Sequence, residues 1–176
     1  MPRSRSALSL LLSTLALAGC LGATPERARI VGARLVQDGG RPELEVTQEL
    51  RFSRTMREAL AQGIELRLVY VLHGCGADTV QALALRYVPL TRHYEVQRDG
   101  DPQARGFARR SALLASLDRV RLPLPATPPP DCRGVLTVAL DLTTLPTPLR
   151  FPALLRRAEW RMVSPPAAWP DPSPRV

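Results

Sequence analysis

The chain reads as mainly β, an immunoglobulin-like antiparallel β-sandwich with two short helices, and three observations predict this class. Apolar and polar residues alternate at period two in segment after segment, as in strands with one buried face. Glycine and proline clusters punctuate the chain between these segments. Only two stretches show helical spacing, and both are too short to form a layer of their own. Seven or eight short strands follow from this reading, with an open sheet covered by both helices as the rival arrangement.

Residues 28–37, rich in Ile, Val and Leu and closed by Asp38, Gly39 and Gly40, predict a strand and a turn. The clearest segment comes next, where Leu44, Val46, Gln48, Leu50 and Phe52 alternate with Glu43, Glu45, Thr47, Glu49 and Arg51. That is a strand with one face in the core and one in water. Ser53 offers an N-cap, Met56, Ala59 and Leu60 recur at helical spacing, and Gly63 stands where a C-terminal glycine ends a helix over 54–62. Ile64, Leu66, Leu68, Tyr70 and Leu72 begin another strand, which runs to a turn at Gly74, Cys75 and Gly76. Residues 79–88 return as a strand with Leu83, Leu85 and Tyr87 on one face; 92–97 form the next, and 98–102 a loop.

Residues 107–117 predict the second helix, with Phe107, Leu113, Leu114 and Leu117 on one side and Arg109 and Arg110 away from it. The five prolines within 123–130 exclude helix and central strand there. Residues 135–142 read as a strand, 145–148 as a fixed turn, and Ala158, Trp160 and Met162 as one face of a last strand. From Pro165 the proline-rich chain is expected to trail off the fold.

The N-terminus carries an address. Two arginines without an acid precede an apolar run over 7–18, the n-region and h-region of a signal peptide. The run is shorter than the roughly 20 apolar residues of a spanning helix. Leu17, Ala18, Gly19 and Cys20 resemble the lipobox of bacterial lipoproteins. The resemblance implies removal of residues 1–19 and acylation of Cys20; composition and pattern then divide the chain into a lipidated tether over 20–27, a sandwich domain over 28–164 and a proline-rich tail over 165–176. Leu21, where an Asp would retain the protein at the inner membrane, favours the periplasmic face of the outer membrane. Each buried acyl methylene adds about 0.8 kcal/mol, so several chains on one cysteine anchor durably.

The formal charge of +8 loses two units with Arg3 and Arg5, and the rest is dispersed and wholly arginine, since the chain has no lysine. With an aromatic content of 5%, this does not make a nucleic-acid surface. Of the three cysteines, acylation of Cys20 leaves Cys75 and Cys132. In an oxidising compartment a disulfide is the leading reading. Two buried thiols, or a metal set with His73 and His93, are the alternatives. Structural zinc sites present ligands in close sequence pairs and only one such pair occurs, so no metal is expected.

The chain has two histidines, no Gly-x-Ser-x-Gly and no phosphate-cradling glycine loop, and neither enzymatic activity nor a cofactor is expected. Arg86, Tyr87, Arg92, His93 and Tyr94 could gather on one sheet face as a recognition patch for an anionic headgroup or partner. The competing reading is a solvated strand face with tyrosines closing the core edge. Trp160 reads as core, and Trp169 as either packed back or an exposed anchor.

The stretches 83–94 and 140–149, the pair Glu159 and Trp160, and Trp169 resemble the signature blocks of one family; 57–63 resembles that family's early helix. It comprises exported proteobacterial proteins known only as a domain of unknown function, numbered four-three-nine-zero. The resemblance implies an exported β-rich domain and supplies no activity. Genes of the family often lie beside a sensor kinase of the nitrogen-regulation type, which implies an envelope-stress or signalling context. The sequence departs from the pattern in its lipobox and in carrying His73, Gly74, Cys75 and Gly76 where relatives have a basic, tryptophan-rich hairpin tip. The expected role is a membrane-anchored, non-enzymatic binding module with an envelope protein as partner. The alternatives are a lipid-handling or structural module whose sandwich opens for an acyl chain, and then an unrecognised hydrolase.

Overall fold

Gly39 and Gly40, with φ of 55° and 79°, make the two-residue turn that only residues tolerant of positive φ close without strain. They join β1 (Ala28–Asp38) to β2 (Arg41–Leu50), with Asp38 paired to Arg41. The computed structural model describes residues 26–74 and 78–170. The expected signal over 1–19, the acylation site Cys20, and Cys75 and Gly76 of the expected turn lie outside these.

Leu44 and Val46 of β2 are buried, as the alternation predicts, and Gln48 is buried with them. Ser53 caps α1 (Arg54–Ala61), its Oγ accepting from the Met56 N–H at 3.0 Å, and the helix buries Met56, Ala59 and Leu60. Gly63, at φ 83°, ends it. Then β3 (Leu66–Gly74), β4 (Thr79–Val88) and β5 (His93–Arg98) run as an antiparallel meander.

The second helix is shorter than the sequence suggests. Residues 105–107 form β6 (Arg105–Phe107), which pairs with β5 and sets Phe107 opposite Tyr94, and α2 covers only Arg110–Ser116. Pairing with β5 supplies backbone partners that a helix's first turn would lack.

A strand not expected from the sequence follows, β7 (Arg119–Pro123), in which Val120 and Leu122 alternate with Arg119 and Arg121. It lies at a sheet edge, where Pro123 is tolerated. After the proline connector comes β8 (Gly134–Asp141). The expected turn over 145–148 is instead the entry to α3 (Thr147–Leu155), with Pro148 in the first turn. The expected last strand is replaced by one turn, α4 (Arg157–Trp160), followed by a single bridge between Val163 and Ala139. Trp160 and Met162 are buried all the same, because an alternation this short fits a helical turn that runs into extended chain. Nor does the chain leave the fold at Pro165, since β9 (Ala167–Trp169) pairs with β8 and buries Trp169.

The fold is mainly β. The described residues form two antiparallel sheets, β1-β2-β7 and β6-β5-β4-β3-β8-β9, in a sandwich-like arrangement with nine strands and four helices. One continuous core lies between them, with Leu44 and Val46 from one sheet and Leu66, Leu68, Leu85, Leu136 and Val138 from the other.

Candidate binding cleft

The proposed recognition patch is divided by the geometry of its own hairpin. In the β4–β5 register Arg86 faces Glu95 and Tyr87 faces Tyr94. Successive strand residues point to opposite sides, so Arg86 and Tyr87 cannot share a face. On one side the Arg86 Nε donates to Glu95 Oε2 at 2.6 Å, and His93 Nε2 bonds Glu95 Oε1 at 2.7 Å. The Arg86 guanidinium, and then His93, hold the Glu95 carboxyl below the usual carboxylate range. On the other side the Tyr87 and Tyr94 rings lie 4.8 Å apart between centroids, tilted by 43°, and Tyr94 packs on the core. Arg92 is exposed in the turn at φ 53°. The expectation of one face holding Arg86, Tyr87, Arg92 and Tyr94 is therefore corrected to two faces and a turn.

His73 lies apart, its Nδ1 2.9 Å from Asp78 Oδ1 on an exposed pair. Among the described residues no three His, Cys, Asp or Glu side chains are grouped as metal ligands.

A different constellation forms where the two sheets meet. Between β7 and the β5–β6 edge runs an open cleft of about 460 Å³. Its lining includes the apolar Leu83, Val96, Leu117 and Val120 and four arginines: Arg98 from β5, Arg105 from β6, and Arg119 and Arg121 from β7. Arg119 and Arg121 share a face because they stand two apart on a strand. Arg98 ties the sheets together, its Nη2 donating to the Arg121 carbonyl at 2.6 Å.

Two carboxylates, Glu45 and Asp101, also line the cleft. Glu45 is only 4% exposed, although the strand pattern put it on the water face. It sits between its register partners Arg34 and Arg121 and accepts from Arg34 Nε at 2.9 Å and Arg121 Nε at 3.4 Å. The Arg34 bond holds its carboxyl below the usual range against the opposing effect of burial. Arg105 stacks 5.2 Å from the Phe107 ring centroid, and Arg98 Nε is buried without a hydrogen-bond partner among the described residues. Arg105 and Arg119 form no ion pair among the described residues. The donors of Arg105 and Arg119 therefore remain free in a cleft with a partly apolar lining, an arrangement suited to carboxylate or phosphate groups.

None of these four arginines was singled out from the sequence. The one local signal was the alternation of Arg119 and Arg121 with Val120 and Leu122.

Residues 76–170, more than half of the chain, match the model of a family described as a domain of unknown function (DUF4390). No curated protein and no solved structure matches the chain.

Proposed function

The chain belongs to the DUF4390 family, a domain of unknown function, and from that premise we propose a lipid-anchored binding module of the cell envelope that takes an anionic partner in the arginine cleft. The observation that carries this reading is the cleft itself, lined by Arg98, Arg105, Arg119 and Arg121 together with Leu83, Val96, Leu117 and Val120. Guanidinium stays protonated and is neither nucleophile nor base at neutral pH, so the arrangement suits holding a group rather than transforming it. The charged lining favours an anionic segment of an envelope protein over a bare acyl chain. The core beside it is already filled, with Leu44, Leu68 and Leu85 fully buried.

The signal pattern and Cys20 support the anchor, and Leu21 supports the outer membrane as its site. The reading includes a disulfide between Cys75 and Cys132. In its support, Gly74 pairs with Gly134, one residue from Cys75 and two from Cys132, which is within the span a disulfide bridges. Cys132 is buried.

Two measurements test the proposal. Intact mass and membrane fractionation of the mature protein beside Cys20→Ala should show acyl mass and membrane association in the wild type alone; a soluble, unacylated wild type overturns the anchor. Crosslinking in intact envelopes should yield a partner adduct that Arg105→Glu/Arg119→Glu loses while remaining folded. An adduct that survives both substitutions overturns the cleft.

A further inference from the structure

Helix α3 is turned inside out relative to an ordinary amphipathic helix, which buries its larger apolar residues and shows small or polar ones to water. Here Ala153 is buried and Leu149 is half-buried against the core, while Phe151, Leu154 and Leu155 are 69%, 52% and 71% exposed. Solitary exposed apolar residues are ordinary, but three large ones within five positions make a patch that calls for an apolar partner.

The surroundings of this patch are basic. Arg150, Arg156, Arg157 and Arg161 are all exposed, and the chain carries no acid between Asp141 and Glu159. Glu159 itself accepts a hydrogen bond from Thr55 Oγ1 at 2.8 Å, and Arg150 Nε is committed to the Leu145 carbonyl at 2.6 Å. Arg156, Arg157 and Arg161 form no ion pair among the described residues. Apolar side chains flanked by unneutralised arginines are the composition of an element that lies in the headgroup region of an anionic bilayer.

The path of the chain points to the same side. Arg27 Nη2 donates to the Ala158 carbonyl at 3.2 Å, and Glu26 and Arg27 line one groove with Ala158, Arg161 and Val163. The seven residues from Arg27 back to Cys20 reach at most about 25 Å when fully extended. An acyl group on Cys20 would therefore hold Arg27, and with it the α4 residue Ala158 that it bonds, within that distance of the bilayer.

We propose that α3 and α4 form a second membrane contact, in which Phe151, Leu154 and Leu155 enter the headgroup boundary while Arg156, Arg157 and Arg161 pair with anionic lipid phosphates. The proposal rests on the reading of Cys20 as the anchor for the side of the molecule that faces the membrane. The contact fixes the orientation of a tethered domain and leaves the arginine cleft, which is built from other elements, to its own partner.

The test uses the processed chain, residues 20–176 with Cys20→Ser, so that no acyl group contributes. It should sediment with phosphatidylglycerol-rich vesicles and much less with phosphatidylcholine vesicles, and added salt should weaken the association. Phe151→Ser/Leu155→Ser should reduce binding at least tenfold without changing the melting temperature, and Arg156→Ala/Arg157→Ala should reduce it by roughly tenfold. Absence of binding to the anionic vesicles, or equal binding by the Phe151→Ser/Leu155→Ser variant, overturns the proposal. So does a dimer in sedimentation velocity that the same variant dissolves in the absence of vesicle binding, which assigns the patch to self-association. Acyl mass on the native protein is read separately, so a failed anchor and a failed helix contact are distinguishable.

Discussion

Gln48 donates from its Nε2 to Tyr70 Oη at 2.7 Å, across the interior from the small sheet to the large one. Both side chains are buried, and burial pushes the Tyr70 hydroxyl's pKa up. The same Gln48 nitrogen donates to the Leu117 carbonyl at 2.8 Å, which fixes the end of α2 above β2. Tyr70→Phe should cost about 1 kcal/mol in denaturant unfolding, the net worth of one buried hydrogen bond. Adding Gln48→Leu should give a sum that departs from additivity by about 0.5 kcal/mol or more, because the two groups are direct partners. Strict additivity would show that the Gln48–Tyr70 hydrogen bond adds no coupling of its own between the sheets.

Glu45 makes the small sheet sensitive to acid. Arg34 and then Arg121 hold its folded pKa below the unfolded value, about 4.3 for Glu. Its stabilisation is therefore fully present above that unfolded value and is lost as pH falls through the lower folded one. Unfolding measured from neutral pH down to about pH 2 should show this loss in the wild type and a smaller one in Glu45→Gln. Since Arg34 is 69% exposed, the difference should be about 1 kcal/mol. Identical pH profiles would count against the pairing.

The Ser53 cap is a local device and should behave as one. Ser53→Ala removes the acceptor for the Met56 N–H and should cost about 1 kcal/mol, while Ser53→Asp should retain most of it. Thermal unfolding of the three proteins checks this ordering.

Gly134 lies where β3, β8 and β9 converge. A methyl group there would meet Trp169 Nε1 at 2.5 Å and Cε2 at 2.6 Å, with the His73 carbonyl also in the way. Gly134→Ala should destabilise the protein by about 1–3 kcal/mol and free β9. Hydrogen exchange over 167–169 should accelerate more than over β4. Unchanged exchange at those residues would mean that Trp169 yields without losing its strand.

The elements that could be read from the sequence are those whose signals are long or doubled. Leu44 to Phe52 alternate over five inward positions, four of them apolar, and Ser53 and Gly63 mark both ends of α1 independently of its apolar spacing. β6 and β7 are too short for their periods to be distinct, and Phe107 suits a helix face as well as a strand opposite Tyr94. Arg86, Tyr87, Arg92 and Tyr94 are near in sequence, but alternation along a strand sends neighbouring side chains to opposite faces, so nearness alone does not make a shared patch.

By itself, the sequence determined the β class, the first hairpin turn, the capped helix and the buried faces of α1 and β3, because each follows from local conformational preference and from which side chains avoid water. Tertiary structure alone decided the cleft and the burial of Glu45. Arg98, Arg105, Arg119 and Arg121 lie on three strands belonging to two sheets, and Glu45 meets Arg34 and Arg121 only through the β1-β2-β7 register. Guanidinium and carboxylate groups satisfy themselves equally well in water, so only the packing of the apolar faces beneath them selects their partners.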